Sequence, residues 1–346
     1  RPDDPGGLAT ARPPVARRGF ALALSVKRLT ASSFAKINLG LRVLGRLPDG
    51  YHEVRTTLQT IDLADEIRFQ EAARVTLTLE GSFPAPADGS NLVLRAAAAL
   101  QERYPGRGAE ITLVKRIPPE AGLGGGSSNA AVTLMGLDRL WDLQADPGLL
   151  YALAARLGSD VPFFLYGGRC LALGRGDEIL PLPDGVPWGV VVAWPGVGLS
   201  TRQVYEGLPL SLTRGRILSS MKGFVPVPPG RRAETTGALA GGPPARGAEG
   251  RSPGQPPDID NDLEQVAFGM LPALRRLRER LLERGAVAAA LTGSGSAVYG
   301  LFRDGKDGRR LGEIAASLAT GGAVAYPCRT LTRDAYRDNL FERSRT

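Results

Sequence analysis

Between Lys115 and Trp141 the chain reads KRIPPEAGLGGGSSNAAVTLMGLDRLW, and no other stretch restricts the fold as tightly. A strand ending at Ile117 meets two prolines that stop it, and a glycine run then opens a helix. Glycines reach φ > 0 and let ligand oxygens come close to backbone N–H groups. Ser127, Ser128 and Asn129 offer caps at the helix start. The helix N-terminus adds unpaired N–H donors and a partial positive charge. Together these make a cradle for an anion.

Spacing narrows the choice of cradle. The P-loop pattern ends in Gly-Lys-Ser/Thr, and no lysine lies in residues 116–141. The dinucleotide pattern GxGxxG needs a glycine where this chain has Ser127. The residues alone leave two readings open, a phosphate site or a tight turn before a buried helix.

Composition excludes several classes. With 346 residues, 43% of them hydrophobic and 23% charged, the chain can build one large or two ordinary domains around a real core. No apolar run approaches the roughly 20 residues that span a bilayer, so no membrane partner is expected. Two cysteines, Cys170 and Cys328, form no disulfide framework and suit a reducing cytosol. A single histidine, His52, excludes a zinc triad. The net charge of +8 and pI of 9.8 fit an anion binder or a solvated arginine-rich surface. The arginines gather in the leader, in 211–258 and in 275–284 with few aromatics beside them, which favours the surface reading over a nucleic-acid partner.

Residues 1–31 read as a disordered leader, and Asp3 and Asp4 disfavour a plastid transit peptide. Strands are expected at 34–44, 53–61, 75–80 and 110–117, with a turn at Pro48-Asp49-Gly50 between the first two. Helices are expected at 91–103, 128–141 and 148–157, and a buried strand at Val190–Trp194. The Pro/Gly/Arg-rich stretch 211–258 carries too little apolar surface to pack and reads as an insertion. A charged helix over Asp262–Glu283, broken near Pro272, precedes a strand–turn–strand at 288–302. The order of elements indicates α+β in two layers rather than βαβ repetition.

The segment PxxxGLGGGSSNA resembles the ATP-binding motif of the GHMP kinases. Ala35-Lys36-Ile37-Asn38-Leu39 and Leu291-Thr292-Gly293-Ser294-Gly295-Ser296 match the other two motifs of that superfamily. Asp49-Gly50-Tyr51-His52 and Gly158-Ser159-Asp160-Val161-Pro162 are similar to the branch that acts on 4-diphosphocytidyl-2-C-methyl-D-erythritol. The resemblance covers residues 32 to 336 apart from the insertion. It implies the two-domain GHMP kinase fold: a ribosomal protein S5 domain 2-like N-terminal domain over 32–178, an α+β C-terminal domain over 179–336, and a tail at 337–346. The active site would lie in the cleft between the domains. It also implies ATP as co-substrate with Mg²⁺, and transfer to the 2-hydroxyl of the cytidylyl alcohol in the non-mevalonate (MEP) isoprenoid pathway. The setting would be a bacterial cytoplasm and the protein a monomer or weak homodimer. The rival readings are a homoserine or mevalonate kinase of the same superfamily and, more remotely, a basic nucleic-acid-binding protein.

Strand alternation places Phe34, Lys36 and Asn38 on one face, so Lys36 and Asn38 project into one cleft. Asp160, judged by its neighbours alone, is a helix cap; the resemblance makes it the catalytic carboxylate paired with Lys36. Tyr51 beside His52 offers a stacking face and a hydrogen-bonding edge suited to a nucleobase. By resemblance these two grip the cytosine, Thr201 and Tyr205 complete that pocket, and Tyr205 stands where relatives more often carry phenylalanine. Asn91, Leu92 and Lys115 resemble the adenine and ribose side, although alone they read as a helix cap, its neighbour and an exposed strand lysine. Pro118, Gly122, Leu123, Gly124, Gly125, Gly126, Ser127 and Ser128, with Gly293, Ser294 and Gly295, resemble the phosphate-binding set. Glu120 departs from the glycine-rich approach of the family and is expected to point away or to reach a metal through water. No carboxylate cluster announces Mg²⁺ ligands, which leaves Ser127, Ser128 and Asp160 as candidates.

Overall fold

Two long antiparallel strands, β1 (Arg28–Arg46) and β2 (His52–Ala72), form the spine of the molecule. Both exceed the expected 34–44 and 53–61. Register shifts between Phe34 and Lys36, Asn38 and Gly40, and Val43 and Gly45 interrupt the period-2 pattern and hide the true strand length in the sequence. The computed structural model describes residues 27–209, 257, 259–303 and 308–342. The expectations for the leader up to residue 26, for most of 211–258 and for 343–346 fall outside the described residues.

Around this spine run β3 (Thr76–Gly81), α1 (Leu92–Gln101), β4 (Gly108–Lys115), α2 (Gly125–Leu140), α3 (Pro147–Leu157), α4 (Phe163–Tyr166), β5 (Arg169–Leu173) and β6 (Glu178–Pro181). The strands form one sheet in the order β3-β4-β2-β5-β6, with β1 on the other edge of β2. Helices α1, α2 and α3 pack together, and α2 lies on β1 and β2. The core between helices and sheet contains Leu58, Phe69, Ile111, Leu134, Phe163 and Phe164. Trp141, also buried there, donates Nε1–H to Gly108 O at 3.0 Å, so its polar atom is satisfied.

The second layer comprises β7 (Gly189–Trp194), α5 (Thr201–Glu206), α6 (Glu264–Met270), α7 (Ala273–Glu283), β8 (Ala288–Leu291), β9 (Val298–Phe302), α8 (Gly308–Leu318), β10 (Val324–Arg329) and α9 (Arg333–Leu340). Its sheet is antiparallel in the order β10-β7-β9-β8. Pro272 divides α6 from α7, as its missing N–H requires. On α7, Leu274, Leu277 and Leu281 turn inward at helical spacing while the arginines stay at the surface. Strand β7 is buried on both faces. Val191 and Ala193 join the helices of this layer, whereas Val190 and Val192 join Ile37 and Leu39 of β1 and Leu123 of the glycine loop. That third cluster fuses the two sheets. Helix α9 returns to the first core, where Tyr336 stands 5.7 Å from the Phe34 ring. Among the described residues no helix is long and apolar enough to cross a membrane.

Candidate active site

The glycine run enters α2 earlier than expected, at Gly125 rather than residue 128. Gly124 is the N-cap with φ 69°, a left-handed conformation that glycine adopts without strain, and no side chain caps the helix. Ser128 N returns to Gly124 O at 2.8 Å, so the N–H groups of Gly125, Gly126 and Ser127 point out of the helix end without an intrahelical acceptor. Ser128 is turned inward and fully buried. Ser33 Oγ lies 2.8 Å from its hydroxyl and 2.7 Å from Asn129 Oδ1.

Backbone contacts hold the loop from both domains. Lys36 N donates to Leu123 O at 2.9 Å, Ser296 N to Glu120 O at 3.1 Å and Ala297 N to Ala121 O at 3.0 Å. Gly122, with φ 73°, passes so close to the turn after β8 that a Cβ there would stand 2.0 Å from Thr292 O. Pro118 is buried beneath the loop. Glu120 is exposed, and its side chain lies against Gly198. Leu92 lies beside Gly126. Asn91 spends its side chain on α1, with Oδ1 accepting from Val93 N and Nδ2 donating to Pro86 O.

Lys36 and Asn38 face one cleft, and the strand is buried on both sides of them. Lys36 Nζ donates to Asn38 Oδ1 at 2.7 Å and lies 3.5 Å from Asp160 Oδ2. Asn38 Nδ2 donates to Thr56 Oγ1 at 2.8 Å, while Thr292 Oγ1 stands 3.2 Å from Asn38 Oδ1 and 3.1 Å from Gly122 O. Tyr299 Oη donates to Asn38 O at 2.7 Å. Asn261 Nδ2 bonds Leu291 O and Gly293 O, fixing the Gly293 turn; a Cβ on Gly293 would stand 3.3 Å from Lys36 Nζ. The ammonium therefore sits where loop, strand and turn converge, next to a half-exposed carboxylate. Ser294 shares a hydrogen bond of 2.8 Å with Thr201 on α5, which ties that helix to the same turn. Gly295 follows it against Leu291 and Leu199.

The rings of His52 and Tyr205 lie 5.0 Å apart at 32°. Burial, together with Arg46, lowers the His52 pKa, which favours a neutral imidazole. Burial and the charge of Asp160 raise the Tyr205 phenol. Tyr51 is 56% exposed, and the Arg175 guanidinium lies 5.2 Å from its ring centroid. Lys115 differs most from the surface reading: it is 5% exposed and ion-paired with the fully buried Asp65.

The sequence model of the GHMP kinases N terminal domain matches residues 91–168, and that of the GHMP kinases C terminal matches residues 254–320. The 4-diphosphocytidyl-2-C-methyl-D-erythritol kinase of Moorella thermoacetica is 40% identical over 82% of this chain and 93% of its own length. That of Solibacter usitatus is 43% identical over 79% and 80%. A crystal structure of 4-(cytidine 5'-diphospho)-2C-methyl-D-erythritol kinase superposes with a TM-score of 0.63 at 32% identity, covering 87% of this chain and 98% of that one. The chain belongs to the 4-diphosphocytidyl-2-C-methyl-D-erythritol kinase family.

A homoserine kinase from Cytophaga hutchinsonii, 15% identical with a TM-score of 0.56 over 88% of this chain and 95% of that one, shares the fold. The two-domain GHMP kinase fold is thus the one inferred from the three motifs. Family members are ATP-dependent phosphotransferases. Asp65, Asn261 and Tyr299, which support the kinase cleft from behind, went unnoticed in the sequence. Asp65 alone left a trace there, as an acidic residue in the apolar run TIDLADEI; the other two bond through positions that no periodic pattern marks.

Proposed function

We propose that this chain transfers the γ-phosphate of ATP to the 2-hydroxyl of 4-diphosphocytidyl-2-C-methyl-D-erythritol, giving the 2-phosphate and ADP, within the non-mevalonate route to isoprenoid precursors. The observation that carries the reading is the meeting of Lys36 Nζ and Asp160 Oδ2 at 3.5 Å between an open helix N-terminus and an aromatic pocket. Phosphoryl transfer asks mainly for positioning and charge stabilisation, and this arrangement supplies both. The N–H groups of Gly125, Gly126 and Ser127 hold the β- and γ-phosphates. Gly122, Leu123 and Gly124 shape the loop, and the Gly293–Gly295 turn closes on it. Leu92 lies beside the adenine end of that cradle. Asn91 acts there as the cap that holds α1.

Asp160 accepts the proton of the acceptor hydroxyl as its oxygen bonds to the γ-phosphorus. The bond from that phosphorus to the β–γ bridging oxygen breaks, and ADP leaves with the bridging electrons. Lys36 balances negative charge on the transferring group, and Asn38 fixes the ammonium. His52 and Tyr51 grip the cytosine, with Tyr205 and Thr201 lining the same pocket. A neutral imidazole can both donate to and accept from a base edge, which the lowered His52 pKa supports.

Mg²⁺ accompanies ATP in such chemistry by neutralising phosphate charge. Among the described residues no group of three or more His, Cys, Asp or Glu gathers. Of the three candidate ligands, Ser127 and Asp160 would be the ones to hold it, since the Ser128 hydroxyl is buried against Ser33. A bacterial cytoplasmic setting goes with this reading, as Cys170 and Cys328 are both free and buried.

The test is ADP release by the purified protein, coupled to a spectrophotometric readout, with each candidate alcohol in turn. Release that depends on 4-diphosphocytidyl-2-C-methyl-D-erythritol is expected. Release driven equally by homoserine or mevalonate would defeat the proposal.

A further inference from the structure

Where β4 ends, the backbone N–H groups of Arg116 and Ile117 lose their place in the sheet. A single side chain takes them up. Asp65 Oδ1 accepts from Arg116 N at 2.6 Å and Ile117 N at 2.8 Å, and its Oδ2 bonds the Lys115 ammonium. Asp65 is fully buried on β2, so it touches neither solvent nor any ligand in the cleft. Its carboxylate thus governs both the direction in which the chain leaves β4 and the position of one buried cation.

That cation lies at the phosphate loop. A Cβ on Gly125, the first residue of α2, would stand 3.3 Å from Lys115 Nζ and 3.0 Å from Ile117 Cγ2. An ammonium buried beside the positive end of a helix is doubly unfavourable, through lost hydration and through repulsion by the N–H dipoles. A buried carboxylate on its other side removes both objections. The arrangement turns the positive end of a buried ion pair toward the cradle, and the two backbone N–H groups on Oδ1 together with the ammonium on Oδ2 fix the carboxylate that holds it.

We propose that Asp65 is a positioning residue for the adenine nucleotide. It sets the place of Lys115 and of the loop leading into α2, and so tunes ATP affinity without contacting ATP. The inference rests on the reading of the glycine loop as the ATP-phosphate site. A merely structural ion pair would support folding and leave nucleotide and alcohol affinity equally affected.

Two variants separate these roles. Asp65→Asn keeps an oxygen for the two backbone N–H groups and removes the charge that holds Lys115. Asp65→Asn with Lys115→Met leaves the pocket neutral and restores folding if the single variant is unstable. Melting temperature, Kd for Mg·ADP by calorimetry, and KM for ATP and for the cytidylyl alcohol are measured for both and for the wild type. The expected result is a rise of about tenfold to a hundredfold in ADP Kd and ATP KM for each variant, with alcohol KM within about twofold of wild type. The double variant recovers the melting temperature and not the ADP affinity. Wild-type ADP affinity in either variant, or equal losses for ATP and alcohol, would overturn the inference. Failure of the wild type itself to bind ADP would instead remove the ATP-site reading and this inference with it.

Discussion

Lys36 is almost fully buried yet keeps two oxygen partners, Asn38 Oδ1 at 2.7 Å and Asp160 Oδ2 at 3.5 Å, of which the second is half-exposed and free to meet a substrate. Lys36→Met keeps the side-chain volume and deletes the charge. It is expected to lower kcat by about 10²–10³-fold, the usual effect of removing one preorganised stabilising group, while ADP affinity measured by calorimetry changes little. His52 yields a pH prediction. Its folded pKa lies below the ordinary 6.5, so the neutral ring is favoured in the fold and persists as pH drops through that value. KM for the cytidylyl alcohol should stay flat from pH 8 to about 6.5 and rise only at lower pH as the ring protonates. A rise beginning above pH 7 in initial-rate profiles would contradict the assignment. The pairing of Lys36 with Asn38 was legible because it needs only strand alternation. The approach of Asp160 was not, since two polar breaks 124 residues apart carry no local signal of contact. Lys115 misled in the opposite sense, because a lysine at a strand end reads as exposed unless the buried carboxylate across the sheet is known.

At the scale of elements, the glycine loop divides into positions that tolerate a side chain and positions that do not. At Gly122 an added Cβ meets Thr292 O at 2.0 Å with φ 73°, so Gly122→Ala should destabilise the fold by at least about 2 kcal/mol in urea unfolding. At Gly126 the nearest atom to a new Cβ is Leu92 Cδ1 at 3.5 Å, an ordinary contact within the first turn of α2. Gly126→Ala should therefore raise stability by about 0.5–1 kcal/mol through helix propensity and at the same time raise ATP KM by crowding the cradle. Opposite movement of those two readouts is the signature of a loop kept open for a ligand. Elements with one strong local cue were visible in the sequence: the break at Pro272, the turn before Tyr51 and the glycine start of α2. Strand β10 and helix α9 were not. β10 is largely exposed and contains Pro327, and α9 buries only Tyr336 and Leu340 among charged residues, so neither has a readable period.

For the whole molecule, the cluster of Ile37, Leu39, Leu123, Val190, Val192 and Tyr299 is what makes two sheets one enzyme. Ile37 is fully buried there, between Lys36 and Asn38 in sequence and on the opposite face. Ile37→Ala should cost about 2–5 kcal/mol of stability by leaving a cavity at the joint between the domains. Thermal unfolding should also show a lower melting temperature without separate domain transitions, because both sheets share that core. The proposed transfer makes Lys36 and Asp160 the chemical centre of this joint. Steady-state turnover of Asp160→Asn with ATP and 4-diphosphocytidyl-2-C-methyl-D-erythritol, alongside its ADP affinity, tests that claim most directly. The expected result is a fall in kcat of about 10²–10⁴-fold with ADP binding within about threefold of wild type. Turnover close to wild type in that variant would contradict it.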